Sequence, residues 1–121
     1  MALHTELPIY KKGVELVSLA FHVQKEMRRD FKRSLGEKIT GHCTDMVNLM
    51  ALANASRGHQ RAQYIRTLLE VQHATTVLLR VGHDSRLITT PLWSKSVLLL
   101  DGIGKQGGGW LKSSREKAPA V

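Results

Sequence analysis

Apolar side chains recur along most of this chain at helical spacing, and strand-like alternation is nearly absent. Ile9, Leu16, Ala20, Val23 and Met27 form one stripe, with Tyr10, Val14, Val17 and Phe21 in the adjoining row. Together they make the broad face of a first helix over about 8–28. Pro8 suits its first turn, where a missing N–H costs nothing, and Thr5 or Glu6 stands in cap position. Leu35, Ile39, Cys43, Met46 or Val47, Met50 and Ala53 or Asn54 repeat along a second helix over 35–55. Ser34 and Glu37 read S-x-x-E, a capping box, so this helix is expected to start at Leu35.

Asn54 to Gly58 reads as a turn. A third helix, over 59–82, carries Ala62, Ile65, Leu69, Gln72, Thr76 and Leu79 on one face, with Tyr64, Leu68, Val71, Thr75 and Leu78 beside them. Gly82 is placed like a C-terminal glycine. A fourth, over 91–112, starts with Thr90 as N-cap and Pro91 at its first position. Its rows are Trp93, Val97, Leu100 and Gly104, then Leu92, Leu99, Ile103 and Trp110. Residues 113–121 read as a disordered basic tail.

Four helices of roughly 20 residues, each about 30 Å long, joined by short connections imply one all-α domain over 1–112. Its expected form is an antiparallel up-down-up-down four-helix bundle. Two runs exceed what one bundle face needs: Val97-Leu98-Leu99-Leu100, and Val77-Leu78-Leu79 followed by Val81. A small bundle has no second core to hide that surface, so a homo-oligomer is expected.

Charge changes the picture more than composition does. The net charge is +8 over 121 residues, which calls for an anionic partner, nucleic acid first. The basic residues cluster in three groups. Lys25, Arg28, Arg29, Lys32, Arg33 and Lys38 surround the first reversal; Arg57, Arg61 and Arg66 follow the second turn; Lys105, Lys112, Arg115 and Lys117 lie toward the C-terminus. In an up-down-up-down bundle these groups fall at both ends, so they are not one compact patch in a monomer; oligomer symmetry, as in a ring of subunits, or a partner is needed to join them into a continuous phosphate-tracking surface. No recognition helix or exposed aromatic platform is evident, so binding driven by charge and shape is expected.

Catalytic chemistry is not legible. None of the six histidines, His4, His22, His42, His59, His73 and His83, forms an H-E-x-x-H or Glu-x-x-His pattern. The carboxylates are scattered, and there is no P-loop or nucleophile elbow. Gly104-Lys105-Gln106-Gly107-Gly108-Gly109 falls late in a helix, not between strand and helix, so it reads either as helix termination or as a place of close backbone approach. No metal, cofactor or enzymatic activity is expected. The single cysteine, Cys43, excludes an internal disulfide and fits a reducing cytoplasm. The N-terminus lacks a signal-peptide pattern, and no apolar run approaches a membrane span.

Several segments, in order and spacing, carry a resemblance. Leu7-Pro8-Ile9-Tyr10-Lys11, Ser34-Leu35-Gly36-Glu37-Lys38, Leu78-Leu79-Arg80, Ile103-Gly104-Lys105-Gln106, Gly108-Gly109-Trp110 and Lys112-Ser113 are similar to the accessory variability determinant (Avd) proteins of diversity-generating retroelements. A sister group is encoded in intervening sequences of bacterial large-subunit ribosomal RNA. The resemblance implies a basic four-helix bundle that assembles as a homopentameric ring. It also implies binding to the element's reverse transcriptase and to nucleic acid, template RNA or cDNA, without catalysis, in support of mutagenic retrohoming in a bacterial or phage-infected cytoplasm. The alternative is a structural bundle of the intervening-sequence type with no polymerase partner. The chain departs from the family pattern at Gly107, where a bulky apolar residue is common, and between Arg28 and Phe31, which lacks a frequent proline.

Overall fold

The computed structural model describes residues 3–117, with side chains over residues 3–114. A 3₁₀ turn (His4–Glu6) leads into α1 (Pro8–Glu26). A short α2 (Arg29–Phe31) passes through a π-helical turn (Lys32–Gly36) into α3 (Glu37–Ala55). Then come α4 (Gly58–Asp84) and α5 (Thr90–Lys117). There is no strand among the described residues, so the fold is all-α, with α1, α3, α4 and α5 as its four long helices. Each packs on two others: α1 on α3 and α5, α4 on the same two. No described helix is long and apolar enough to cross a membrane.

The core follows from spacing. On α1 the buried positions are Ile9, Gly13, Leu16, Ala20 and Val23, and Met27 just past its end keeps the step; the next segment continues with Gly36, Ile39, Cys43, Met46, Met50 and Ala53. Steps of four and three alternate throughout, which is the seven-residue repeat of knobs-into-holes packing rather than a drifting 3.6 period. Ile65, Leu68, Leu79, Leu100 and Ile103 complete the centre from α4 and α5. Glycine alternates with large side chains across this core. Met50 lies against Gly13, Gln24 against Gly36, Ile88 against Gly82, and Leu69 against Gly107. A Cβ at any of the four would come within about 3 Å of its neighbour.

The row beside the α1 stripe divides: Tyr10 and Val17 are half-buried and pack against the core, whereas Val14 and Phe21 face solvent. Phe21 is 56% exposed and Val14 47% exposed. The surplus apolar runs also reach solvent, with Leu98 75% exposed and Val81 51% exposed.

Four local expectations are corrected. Ser34 does not cap a helix: the chain is already helical from Arg29, and the Ser34 hydroxyl donates to the Phe31 carbonyl at 3.4 Å. Gly82 does not end its helix. The left-handed residue is Arg86 (φ 61), and the Leu87 and Arg86 N–H groups donate to the Gly82 and His83 carbonyls at 2.8 and 3.0 Å, a Schellman closure with arginine in the glycine position. Thr90 is not the N-cap, because the Thr89 carbonyl accepts the first helical bond, from Trp93 N–H at 2.9 Å. The fourth helix runs beyond 112, through the glycine triplet and Ser114, which is buried, to Lys117, so the expected tail is helical over 113–117; residues 118–121 lie outside the described residues.

Candidate nucleic-acid and partner interface

The first reversal takes two extended residues. Met27 (φ −71, ψ 149) buries its side chain while Arg28 (φ −58, ψ 142) faces out. Gln24 then clamps the corner. Its amide donates to the Lys32 carbonyl at 3.0 Å and accepts from the Thr40 hydroxyl at 3.0 Å. Gly36 makes room, since a Cβ there would stand 2.8 Å from Gln24 Cγ. The Glu37 N–H reaches back five residues to the Lys32 carbonyl, which is what widens the turn.

This clamp gathers the first basic group in one place. Lys25, Arg28, Arg29, Arg33 and Lys38 are exposed and Lys32 is half-buried. None is in an ion pair; among the described residues the Lys or Arg salt bridge is Arg80–Asp84 at 3.4 Å, with His83 Nδ1 3.6 Å from the same carboxylate. Like charges on one corner repel one another at modest cost in water, and a polyanion relieves that cost. The Arg28 guanidinium lies 5.3 Å from the Phe31 ring centroid, which fixes its direction.

Two grooves meet at Arg28. One, of about 610 Å³, is floored by Phe31, Leu35, Leu78, Val81 and Leu87, with Arg28, Lys38, Ser34 and Ser85 around it. The other, of about 330 Å³, is lined by Glu26, Arg28, His83, Arg86 and the Thr89 and Thr90 hydroxyl residues, above Leu87 and Ile88. The His83 ring stacks on Trp93 with centroids 4.2 Å apart, and its Nε2 is 3.0 Å from the Thr90 hydroxyl. Arg86 thus joins the first corner from the third connection. Sequence reasoning missed it, because one arginine in a polar loop carries no periodic signal.

The other basic groups do not join this patch. Arg61 is engaged within the fold: its Nε donates to the Ala53 carbonyl at 2.9 Å and its Nη2 to the Asn54 carbonyl at 3.1 Å. Its guanidinium lies 6.0 Å from the Trp110 ring centroid, so it closes the end of α3 against α5. Arg57, Arg66, Lys105 and Lys112 are exposed. The Arg115 backbone is helical, and its side chain lies outside the described residues.

Burial pushes the Cys43 thiol up to about 12, so it stays protonated at neutral pH and is a poor nucleophile. No three His, Cys, Asp or Glu residues converge to hold a metal among the described residues. Comparison with family models, with curated proteins and with solved structures gives no match.

Proposed function

We propose that this chain is a non-catalytic accessory protein of a diversity-generating retroelement, binding the element's reverse transcriptase and its template RNA or cDNA in the cytoplasm. One observation carries the reading: six basic residues, Lys25, Arg28, Arg29, Lys32, Arg33 and Lys38, gather at one clamped corner without an ion-pair partner. The ordered motifs from Leu7 to Ser113 supply the family. The reading includes an up-down-up-down antiparallel bundle. Gly13 against Met50, Ile9 near Gly107 and Leu35 against Gly82 support it, since early residues meet late ones; between α4 and α5, Leu69 lies against Gly107 and Gln72 against Gly104, so residue numbers run in opposite senses. It also includes a homopentameric ring, supported by exposed Val14, Phe21 and Leu98, which a monomer leaves in water.

The test is co-purification with the adjacent reverse transcriptase and its RNA, followed by a salt titration. Six phosphate contacts on a single strand predict a log–log slope of roughly −4. Replacing Arg28, Arg29, Lys32 and Arg33 by Gln removes about 3 of that slope while helix content stays the same. A flat salt response refutes electrostatic binding. RNA binding without polymerase co-purification leaves the intervening-sequence type. Light scattering that finds only the 13.5 kDa monomer at micromolar concentration refutes the ring.

A further inference from the structure

We infer that the groove between the α2–α3 corner and the last turns of α4 docks a segment of another protein: an amphipathic helix with apolar anchors flanked by carboxylates. The floor is aliphatic. Leu35, Leu78 and Leu87 are half-buried, while Val81 is half in water, and Val77, one turn earlier on α4, is 48% exposed and continues the strip. The volume of about 610 Å³ takes two or three anchor side chains, within the range of sites that bury a ligand. A groove between two helices suits anchors at i, i+3 or i+4 and i+7.

Charge identifies the occupant. Arg28 and Lys38 border the floor, Ser34 and Ser85 add hydroxyls, and no carboxylate lines it. The adjacent Asp84 already pairs with Arg80. Rim charge of one sign around an apolar floor selects the opposite sign on the partner and steers its approach. A nucleic acid fits poorly. The one aromatic present, Phe31, is faced by the Arg28 guanidinium, and a phosphate chain would leave Val81 in water. A second copy fits less well: its exposed Leu98 has Glu15 beside it but Lys95 and His22 as well, so that strip carries no surplus of carboxylates. The inference goes beyond the nucleic-acid reading and stands without it, since it needs no phosphate contact.

The probe is a synthetic helix of about 16 residues built from Ala, Glu and Leu, with leucines at i, i+4 and i+7 and glutamates flanking them. It is titrated into the full chain with methyl-labelled Leu and Val observed by NMR. Expected are shifts confined to Leu35, Leu78, Val81 and Leu87, and none with a peptide in which Gln replaces Leu or Lys replaces Glu. Val81→Asp should weaken binding by about tenfold or more, with helix content unchanged because Val81 is half-exposed. Arg28→Gln with Lys38→Gln should lower affinity and flatten its salt dependence. Equal binding of the Gln peptide, or no shift with any peptide, overturns the inference. So does a uridine oligonucleotide that shifts these methyls when the peptide does not, or shifts that appear on concentrating the protein alone, which would make the groove a subunit contact. RNA affinity of Val81→Ser, which adds no charge beside Arg28, separates the two proposals: peptide binding weakens while RNA affinity stays at the wild-type value if only the peptide site is lost.

Discussion

The glycines of the long helices test the packing because identical substitutions should have opposite signs. In a helix interior glycine is about 1 kcal/mol worse than alanine. At Gly108 and Gly109 an added Cβ meets nothing within 4 Å, so Gly108→Ala and Gly109→Ala should each recover about that amount. Successive residues do not face one another, so the double variant should gain about 2 kcal/mol. An unfolding entropy of about 2.1 cal/mol/K per residue makes that about 8 °C in Tm for a chain of this length. Gly82→Ala starts with the same gain. Its Cβ, however, would stand 2.6 Å from Ile88 Cδ1, 3.0 Å from Ile88 Cγ1 and 3.2 Å from Leu35 Cδ2. Ile88 cannot withdraw easily, because its own N–H and that of Leu87 donate to the Gly82 carbonyl at 3.3 and 2.8 Å. Overpacking of this kind costs about 1–3 kcal/mol, so the net change should be a loss of up to about 2 kcal/mol. The assay is thermal unfolding followed by circular dichroism at two protein concentrations, since self-association itself moves Tm. A lower Tm for Gly108→Ala/Gly109→Ala would mean that another chain approaches that backbone. A Gly82→Ala variant as stable as that pair would refute the locked Ile88.

Three more outcomes are expected. Arg61→Ala should lose about 1–3 kcal/mol in urea unfolding, because two carbonyls at the end of α3 lose a charged donor, whereas exposed Arg66→Ala should stay within about 0.5 kcal/mol; equal effects would refute the structural role. Arg86→Gly should raise stability by about 1 kcal/mol, because glycine takes φ 61 without a Cβ penalty, and a loss would mean the side chain holds the loop. The Cys43 thiol is raised from 9.0 to about 12, so its contribution is intact below pH 9, where both states keep the proton. As pH rises from there toward 12 the unfolded chain ionises first, and stability should fall by up to about 1.4 kcal/mol per pH unit; a Cys43→Ala variant with the same pH profile would refute this origin.

The candidate site was only half legible. Its basic residues are plain in the sequence around Arg28 to Lys38, since clustered charge needs no tertiary information. Arg61 looked equivalent to Arg57 and Arg66, yet its donors are spent on backbone carbonyls eight and seven residues earlier. Which guanidinium finds such a partner depends on how α4 leaves the turn, and spacing does not encode that. The groove beside Lys38 was likewise invisible, because Phe31 and Leu35 meet Leu78, Val81 and Leu87 from about 45 residues away in the chain.

Local signals were read well where one physical cause acts alone. Period and composition determine four long helices, and Pro8 takes the first turn of α1 as its missing N–H predicts. The α1 stripe from Ile9 to Met27 is buried throughout, because burial on an amphipathic helix follows directly from its spacing. Local signals failed where two causes compete. Ser34 and Glu37 match a capping box, but Gln24 reaching across from α1 holds Lys32 and Thr40 and keeps the chain helical upstream. Gly82 and Gly107 match helix endings, but facing side chains occupy the space that their missing Cβ leaves, and the helices continue. Sequence by itself therefore determined the helical class, the inward stripes and the charge. Tertiary structure alone decided which glycines are packing positions, which arginine is structural and which apolar residues remain in water, because each of those depends on a neighbour distant in the chain.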